Sequence, residues 1–133
     1  MSNLSTIGIW ILRLLAAVIL LQTLYFKFSA APESIYIFSK LGMEPWGRIG
    51  TGVLELIAGI LLLIPATTVF GALLATGMMA GAIFFHIAKL GISVQDDGGQ
   101  LFIYALLVFV SSIALIIIYR NDLFALKGFR IKT

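Results

Sequence analysis

The sequence predicts an all-α fold, an integral membrane four-helix transmembrane bundle with a short interfacial helix between the first and second spanning helices. Hydrophobic residues make up 61% of the 133 residues and charged residues 11%, against about 45–50% and about 25% in an ordinary soluble domain. Mean hydropathy is +1.11. A soluble fold of this size could not bury that much apolar surface. The composition therefore excludes a soluble enzyme, a disordered chain and a nucleic-acid-binding module.

Four apolar segments are long enough to cross a bilayer, which takes about 20 apolar residues in a helix. The first has no Lys or Arg before Ile7 and exceeds the apolar run of a signal peptide, so we expect a spanning helix rather than a cleaved leader. No stretch remains for a fifth span, and residues 1–133 are predicted to form a single transmembrane domain. The predicted spans are Thr6–Phe26, Ile49–Ala66, Val69–Leu90 and Leu101–Tyr119.

A short amphipathic segment separates the first two spans. Pro32 suits the first turn of a helix, and Ile35, Phe38 and Leu41 then recur near helical spacing until Gly42 stops the run. This pattern predicts a helix over Pro32–Leu41 that lies in the headgroup layer. Its apolar residues should face the bundle or the lipid.

The remaining connections differ in length and character. Only Thr67 and Thr68 link the second and third spans, so these two helices should be antiparallel neighbours. The loop after the third span is the most polar part of the chain, and Asp97-Gly98 marks a turn in it. Residues 120–133 mix apolar and basic side chains, which predicts an amphipathic anchor for anionic headgroups.

Apart from Arg13, which lies inside the first span, the basic residues divide evenly between the two membrane faces, with four on each. The dense basic tail favours cytoplasmic termini in a bacterial cytoplasmic membrane. We interpret Lys27, Lys89 and Arg120 as anchors that extend to the interface. The face that holds the termini carries Arg120, Lys127, Arg130 and Lys132, and the opposite face carries Lys27, Lys40, Arg48 and Lys89.

Four polar residues inside the spans are the most informative, because an ionisable group in hydrocarbon costs roughly 2.5–3.5 kcal/mol. They are Arg13, Gln22, Glu55 and His86. At the rise of a helix, Arg13 lies about 10 Å and Glu55 about 16 Å below the face that holds the termini. The difference is within reach of an arginine side chain. The depths therefore predict an ion pair between Arg13 and Glu55, which has either a functional role or only fixes helix register.

Three of these residues share a level near the opposite face. Gln22 and His86 lie about 6 Å below it and Glu55 about 9 Å below it. Gly52 and Gly59 flank Glu55 on one helix face, where small residues let another helix approach. We therefore predict a ligand-binding cavity lined by Gln22, Glu55 and His86. The alternative is that His86 faces the headgroups and Gln22 bonds a neighbouring helix.

Several chemistries lack the residues they need. A zinc site takes three or four closely spaced ligands, and bis-histidine haem takes two histidines, whereas the chain has one His and no Cys. There is no P-loop, no GxSxG and no dinucleotide fingerprint. We expect no metal and no intrinsic cofactor. Proton-coupled chemistry remains, as does binding of an apolar ligand with a polar head.

The sequence resembles the DoxX-like family of small four-helix bacterial membrane proteins. The resemblance runs from about Ile9 to Tyr119. It rests on an early arginine and a closing lysine in the first span (ILRLLAAVILL, LYFKF), a glycine-rich second span with one glutamate (GTGVLELIAGILLLIP), and a third span rich in small residues (GALLATGMMAGAIFFHI). The resemblance implies a four-helix bundle and a link to quinone-dependent oxidoreductases, since the family takes its name from a subunit associated with a terminal quinol oxidase.

Three functional hypotheses follow. The first is a quinone- or lipid-binding accessory subunit of a membrane redox system, with membrane lipids and a protein of that system as partners. The second is a small proton-coupled transporter, and the third a structural or assembly protein. Small four-helix exporters place their glutamate in the first helix, which favours the first hypothesis over the second. We do not expect a stand-alone enzyme, and an oligomer remains open.

Overall fold

Within residues 3–120, which the computed structural model describes, the chain forms five α-helices, four of them long and apolar enough to cross a membrane. The predicted all-α membrane bundle is thereby confirmed. The predicted amphipathic tail lies, apart from Arg120, outside the described residues. The helices are α1 (Asn3–Phe28), α2 (Pro32–Lys40), α3 (Trp46–Leu63), α4 (Thr68–Phe85) and α5 (Gln100–Ile118).

The four long helices form a ring in which each packs against two neighbours. α1 packs against α3 and α5, and α4 packs against the same two helices. The membrane face where α1 begins is called here the N-terminal face, and the other the α2 face. Alanine dominates the centre of the ring, which lets the backbones approach closely. The alanines with no exposed surface are Ala16, Ala17, Ala58, Ala72 and Ala75.

The outside of the ring is apolar. Large hydrophobic side chains on every spanning helix are exposed, which would be costly in water but suits contact with acyl chains. The protein is therefore an integral membrane protein. Examples of these outward-facing side chains are Ile11, Val18, Ile57, Leu73, Val110 and Ile117.

The predicted interfacial helix is present as α2. It begins at Pro32, as the sequence indicated, and it contacts α1 and α3 at the α2 face. Phe38 is buried beneath it, whereas Ile35 is part of the outer surface. The helix therefore covers the end of the bundle with one face and leaves the other exposed.

Two predicted helix ends shift for local reasons. The second span ends at Leu63 rather than Ala66, because Pro65 forces Ile64 into an extended conformation. The third span changes geometry after Phe85 and continues as a π-helical turn over His86–Leu90. This wide turn ends at Gly91, whose φ of +81° favours glycine.

Asp97 caps the start of α5 from the preceding loop. Its carboxylate accepts hydrogen bonds from the backbone N–H of Val94 at 3.0 Å, Gly99 at 2.8 Å and Leu101 at 3.3 Å. Burial pushes the pKa of Asp97 upward, but these bonds together with one from Gln100 outweigh it and hold the pKa below its ordinary value. The turn predicted at Asp97-Gly98 is therefore also the N-terminal cap of a spanning helix.

Candidate functional site

A cavity of about 780 Å³ lies in the half of the bundle nearest the α2 face. All five helices contribute to its walls, with α2 on the side of the headgroups. Gln22, Glu55 and His86 all line it. The structure thus brings the three predicted residues together around one space, and ligand binding there remains a prediction.

Glu55 is the most deeply placed charge in this cavity. Its side chain is 3% exposed, and its Oε1 atom lies 2.9 Å from Nζ of Lys27. The hydroxyl of Thr23 donates to Oε2 at 3.2 Å. Thr23 and Lys27 are four residues apart, and residues at this spacing share a face of α1. One turn of α1 therefore neutralises and orients the carboxylate of α3.

The predicted ion pair between Arg13 and Glu55 is wrong. Arg13, only 2% exposed, donates from Nε to the carbonyl of Leu62 at 2.8 Å and from Nη2 to that of Leu63 at 2.7 Å. These carbonyls end α3, where they lack intrahelical donors and carry the negative end of the helix dipole. Trp10 covers the guanidinium, with its ring centre 3.8 Å from Cζ. Arg13 is therefore a cap for α3.

Lys27 also differs from the prediction, which placed it at the interface as an anchor. Its side chain is 15% exposed and turns inward to Glu55. The depth estimate contained a signal for this pairing. It placed Glu55 about 9 Å below the face where Lys27 lies and about 6 Å from the level of Arg13, so both cations lay within about two helical turns of the carboxylate. Depth in the membrane does not tell which of the two cations points toward Glu55, because that depends on how each helix is rotated about its own axis.

His86 is buried, at 5% exposed, and its ring is held from two sides. Nδ1 lies 3.0 Å from the carbonyl oxygen of Gly91, and the ring of Phe102 packs edge-on at 5.6 Å between ring centres. Since a carbonyl only accepts, Nδ1 carries a proton, and in the neutral tautomer with that proton Nε2 is an acceptor. Nε2 makes no hydrogen bond to any described residue. The predicted alternative, a histidine that faces the headgroups, does not describe this residue.

Gln22 lies at the margin of the cavity. Its side chain is exposed, and within residues 3–120 it makes no hydrogen bond. The alternative of a bond to a neighbouring helix is therefore not realised. Gln22 offers two amide protons and one carbonyl oxygen at the edge of the cavity.

Tyr104 is a lining residue that the sequence reasoning missed. Its hydroxyl accepts a hydrogen bond of 2.8 Å from Nε2 of Gln100, and both residues border the cavity. The fourth span is almost uniformly apolar, so Tyr104 gave no periodic signal. The four-residue spacing of Gln100 and Tyr104 was the available clue.

The lining holds one ion pair, Lys27 with Glu55, a second carboxylate on the exposed Glu33, and several neutral polar groups, within walls that are mostly apolar. The polar members are Gln22, Thr23, Lys27, Glu33, Ser34, Thr51, Glu55, His86, Gln95, Gln100 and Tyr104. Among the described residues, no three His, Cys, Asp or Glu side chains are grouped so as to hold a metal ion. The arrangement suits an uncharged, partly polar molecule.

Comparison with known proteins places the chain in a family. Neither the curated proteins nor the solved structures gave a match. The model of the DoxX-like family matches residues 11–115. This range takes in most of α1, all of α2, α3 and α4, and α5 up to Leu115. Because the match covers well over half of the sequence, the chain belongs to the DoxX-like family.

Proposed function

We propose that this protein binds a quinone or quinol in the cavity and acts as an accessory subunit of a membrane redox system. The observation that carries the proposal is the position of Gln22, Glu55 and His86 around one cavity in an otherwise apolar bundle. Polar groups are expensive in hydrocarbon unless they have partners. A cavity that collects them supports a ligand with a polar head.

The size of the cavity agrees with this ligand class. Small-molecule sites usually occupy about 300–1,000 Å³ and combine apolar walls with a few oriented polar groups. The volume of about 780 Å³ exceeds what a single aromatic headgroup needs. It leaves room for the first part of an isoprenoid or acyl tail.

The hydrogen-bonding groups match a quinol in particular. A quinol hydroxyl can donate to Nε2 of His86, which is left as an acceptor by the bond from Nδ1 to Gly91. The oxygen at the other end of the ring can accept from Lys27, whose ammonium has three protons and directs one toward Glu55. Glu55 thus holds Lys27 in place for the ligand.

The proposed role is that of a subunit because the electrons need a second protein. A quinone carries electrons itself, and the lining residues supply only hydrogen bonds and a proton acceptor. The DoxX-like family takes its name from a subunit associated with a terminal quinol oxidase, which supports the same role. We place the protein in the bacterial cytoplasmic membrane, with its N-terminal face toward the cytoplasm.

A transporter is less well supported. Carriers of protons need a carboxylate that can release its charge partner, and Glu55 is bound to Lys27 and Thr23. A purely structural role predicts that the cavity holds no specific ligand. Both alternatives predict that no quinone is bound, which the experiment below tests.

The experiment is native mass spectrometry of protein extracted gently from its own membranes. We expect a mass increment that corresponds to quinone and that disappears in Gly77→Phe, which fills the cavity. The matched control is Gly50→Phe, since a Cβ at Gly50 also meets no atom within 4 Å but lies outside the cavity. A bare protein, or an increment that both variants retain, would overturn the proposed function.

A further inference from the structure

The helices α3 and α4 are in close contact near the N-terminal face. A Cβ added to Gly71 would lie 2.7 Å from the backbone nitrogen of Leu62 and 3.0 Å from the carbonyl oxygen of Ala58. Such distances are shorter than real contacts allow, so the two backbones touch at this level. Gly71 is therefore required for the packing of α4 on α3.

Nearer the α2 face, two glycines of α4 border open space. Gly77 and Gly81 lie six and ten residues after Gly71, which is about 9 Å and 15 Å along the helix. A Cβ added to either would meet nothing within 4 Å. Both glycines line the cavity. The pair that looks like a helix-packing motif in the sequence therefore borders open space.

Leu54 of α3 shows where this space leads. Its side chain is 44% exposed and belongs to the apolar outer surface, yet it also lines the cavity. Met78, which shares the α3-facing side of α4 with Gly71 at a spacing of seven residues, lines the cavity as well. A cavity bordered by an outward-facing leucine on one helix and bare glycines on the next reaches the lipid between them.

The inner end of the same cavity is polar and fixed. His86 is nine-tenths buried there and leaves Nε2 without a partner among the described residues. The Lys27–Glu55 pair lies in the same space. The cavity therefore runs from an anchored polar end to an apolar gap in its side wall.

From this gradient we infer that the cavity opens sideways into the bilayer between α3 and α4, and that it takes a lipid with a single long tail. The head lies at His86 and Lys27, and the tail leaves past Leu54 and Gly81. This inference rests on the proposed function for the identity of the head. It adds the entry route and the requirement for a tail.

The test compares two quinols that differ only in the tail. Affinities are measured in nanodiscs for a long-tailed quinol and for its tail-free headgroup, with wild type, Gly81→Leu and the control Gly50→Leu. We expect Gly81→Leu to weaken the long-tailed ligand by about tenfold or more, because the tail loses its buried path. The tail-free ligand should change less than about twofold, as should both ligands with the control.

The outcomes separate the two proposals. The lateral opening would be overturned if Gly81→Leu weakened the binding of both ligands equally or of neither, or if wild type bound both ligands with the same affinity. Each of these results would leave the headgroup site intact. If neither quinol binds wild type, the proposed function fails, and the opening is then tested with a phospholipid that carries a diazirine on its tail. This lipid should label Met78 in vesicles, and a lack of labelling there would overturn the opening. If Gly81→Leu melts at a lower temperature than wild type, Gly77→Leu is used in its place.

Discussion

Nζ of Lys27 lies 2.9 Å from Oε1 of Glu55, so the carboxylate in the middle of this bundle is neutralised by the lysine that ends α1. Both side chains are largely withdrawn from the surface. Removing one partner of a buried pair strands the other charge, which costs about 3–5 kcal/mol. We expect Glu55→Gln and Lys27→Met each to lower the stability of the protein in detergent by about this amount. The double variant should recover part of the loss.

Arg13, which makes no ion pair with Glu55, provides the control for this comparison of single and double variants. Arg13→Met should remove the cap from the last carbonyls of α3 and cost a similar amount, because it strands those carbonyls in the membrane. Its effect should add to that of Glu55→Gln to within about 0.5 kcal/mol. The assignment of the ion pair would be wrong if the stability losses of the Arg13 and Glu55 variants were not additive while those of the Lys27 and Glu55 variants were.

Asp97 makes stability depend on pH. Its pKa in the folded state is held below the ordinary value of 3.8. Its contribution is therefore fully present above the unfolded pKa and is lost as the pH falls through the folded pKa. At pH 7, Asp97→Asn should be less stable by about 0.3–1 kcal/mol, the usual value of a negative charge at the N-terminus of a helix.

Melting temperatures of wild type and Asp97→Asn, measured across the acid range, check this. The two curves should converge below about pH 4, where the unfolded carboxyl becomes protonated. A constant difference from neutral to acid pH would show that the charge of Asp97 does not stabilise the cap.

The absence of cysteine makes the orientation directly measurable. Ser39 is exposed on α2, and Ala66 is exposed in the turn between α3 and α4 at the N-terminal face. With the N-terminal face toward the cytoplasm, a membrane-impermeant maleimide added to whole cells should label Ser39→Cys. It should label Ala66→Cys only after the cells are broken. The reverse pattern would show that the α2 face is cytoplasmic.

The spans and α2 could be predicted because hydropathy and helical spacing are local properties of the sequence. The level of Gln22, Glu55 and His86 followed from counting residues along the helices. Counting residues gives the depth of a side chain in the membrane but not its azimuth, the direction in which it points around the helix. For this reason Arg13, and not Lys27, was predicted to pair with Glu55. Azimuth depends on how the helices pack, and no single segment specifies it.

Two other features arise only from tertiary structure. The π-helical turn at His86 has no distinctive composition, yet it brings the carbonyl of Gly91 to the imidazole. Gly77 and Gly81 look like a packing motif in the sequence, but they border the cavity, and a Cβ added to either would meet no atom within 4 Å. Small residues allow close packing without requiring it.

The central claim, a quinol bound at His86, is tested most directly by one substitution. In His86→Asn the side-chain amide can still donate to the carbonyl of Gly91, as Nδ1 does, but nothing replaces Nε2. Phe84→Ala is the control, since Phe84 lies on the outer surface of the same helix.

Quinol affinity and melting temperature are measured together for wild type and the two variants. We predict that His86→Asn weakens quinol binding by about tenfold, the value of one hydrogen bond to a buried polar group, with little change in melting temperature. Phe84→Ala should change neither quantity. Unchanged affinity in His86→Asn, or a loss that only follows a drop in melting temperature, would contradict the claim and make His86 a packing residue.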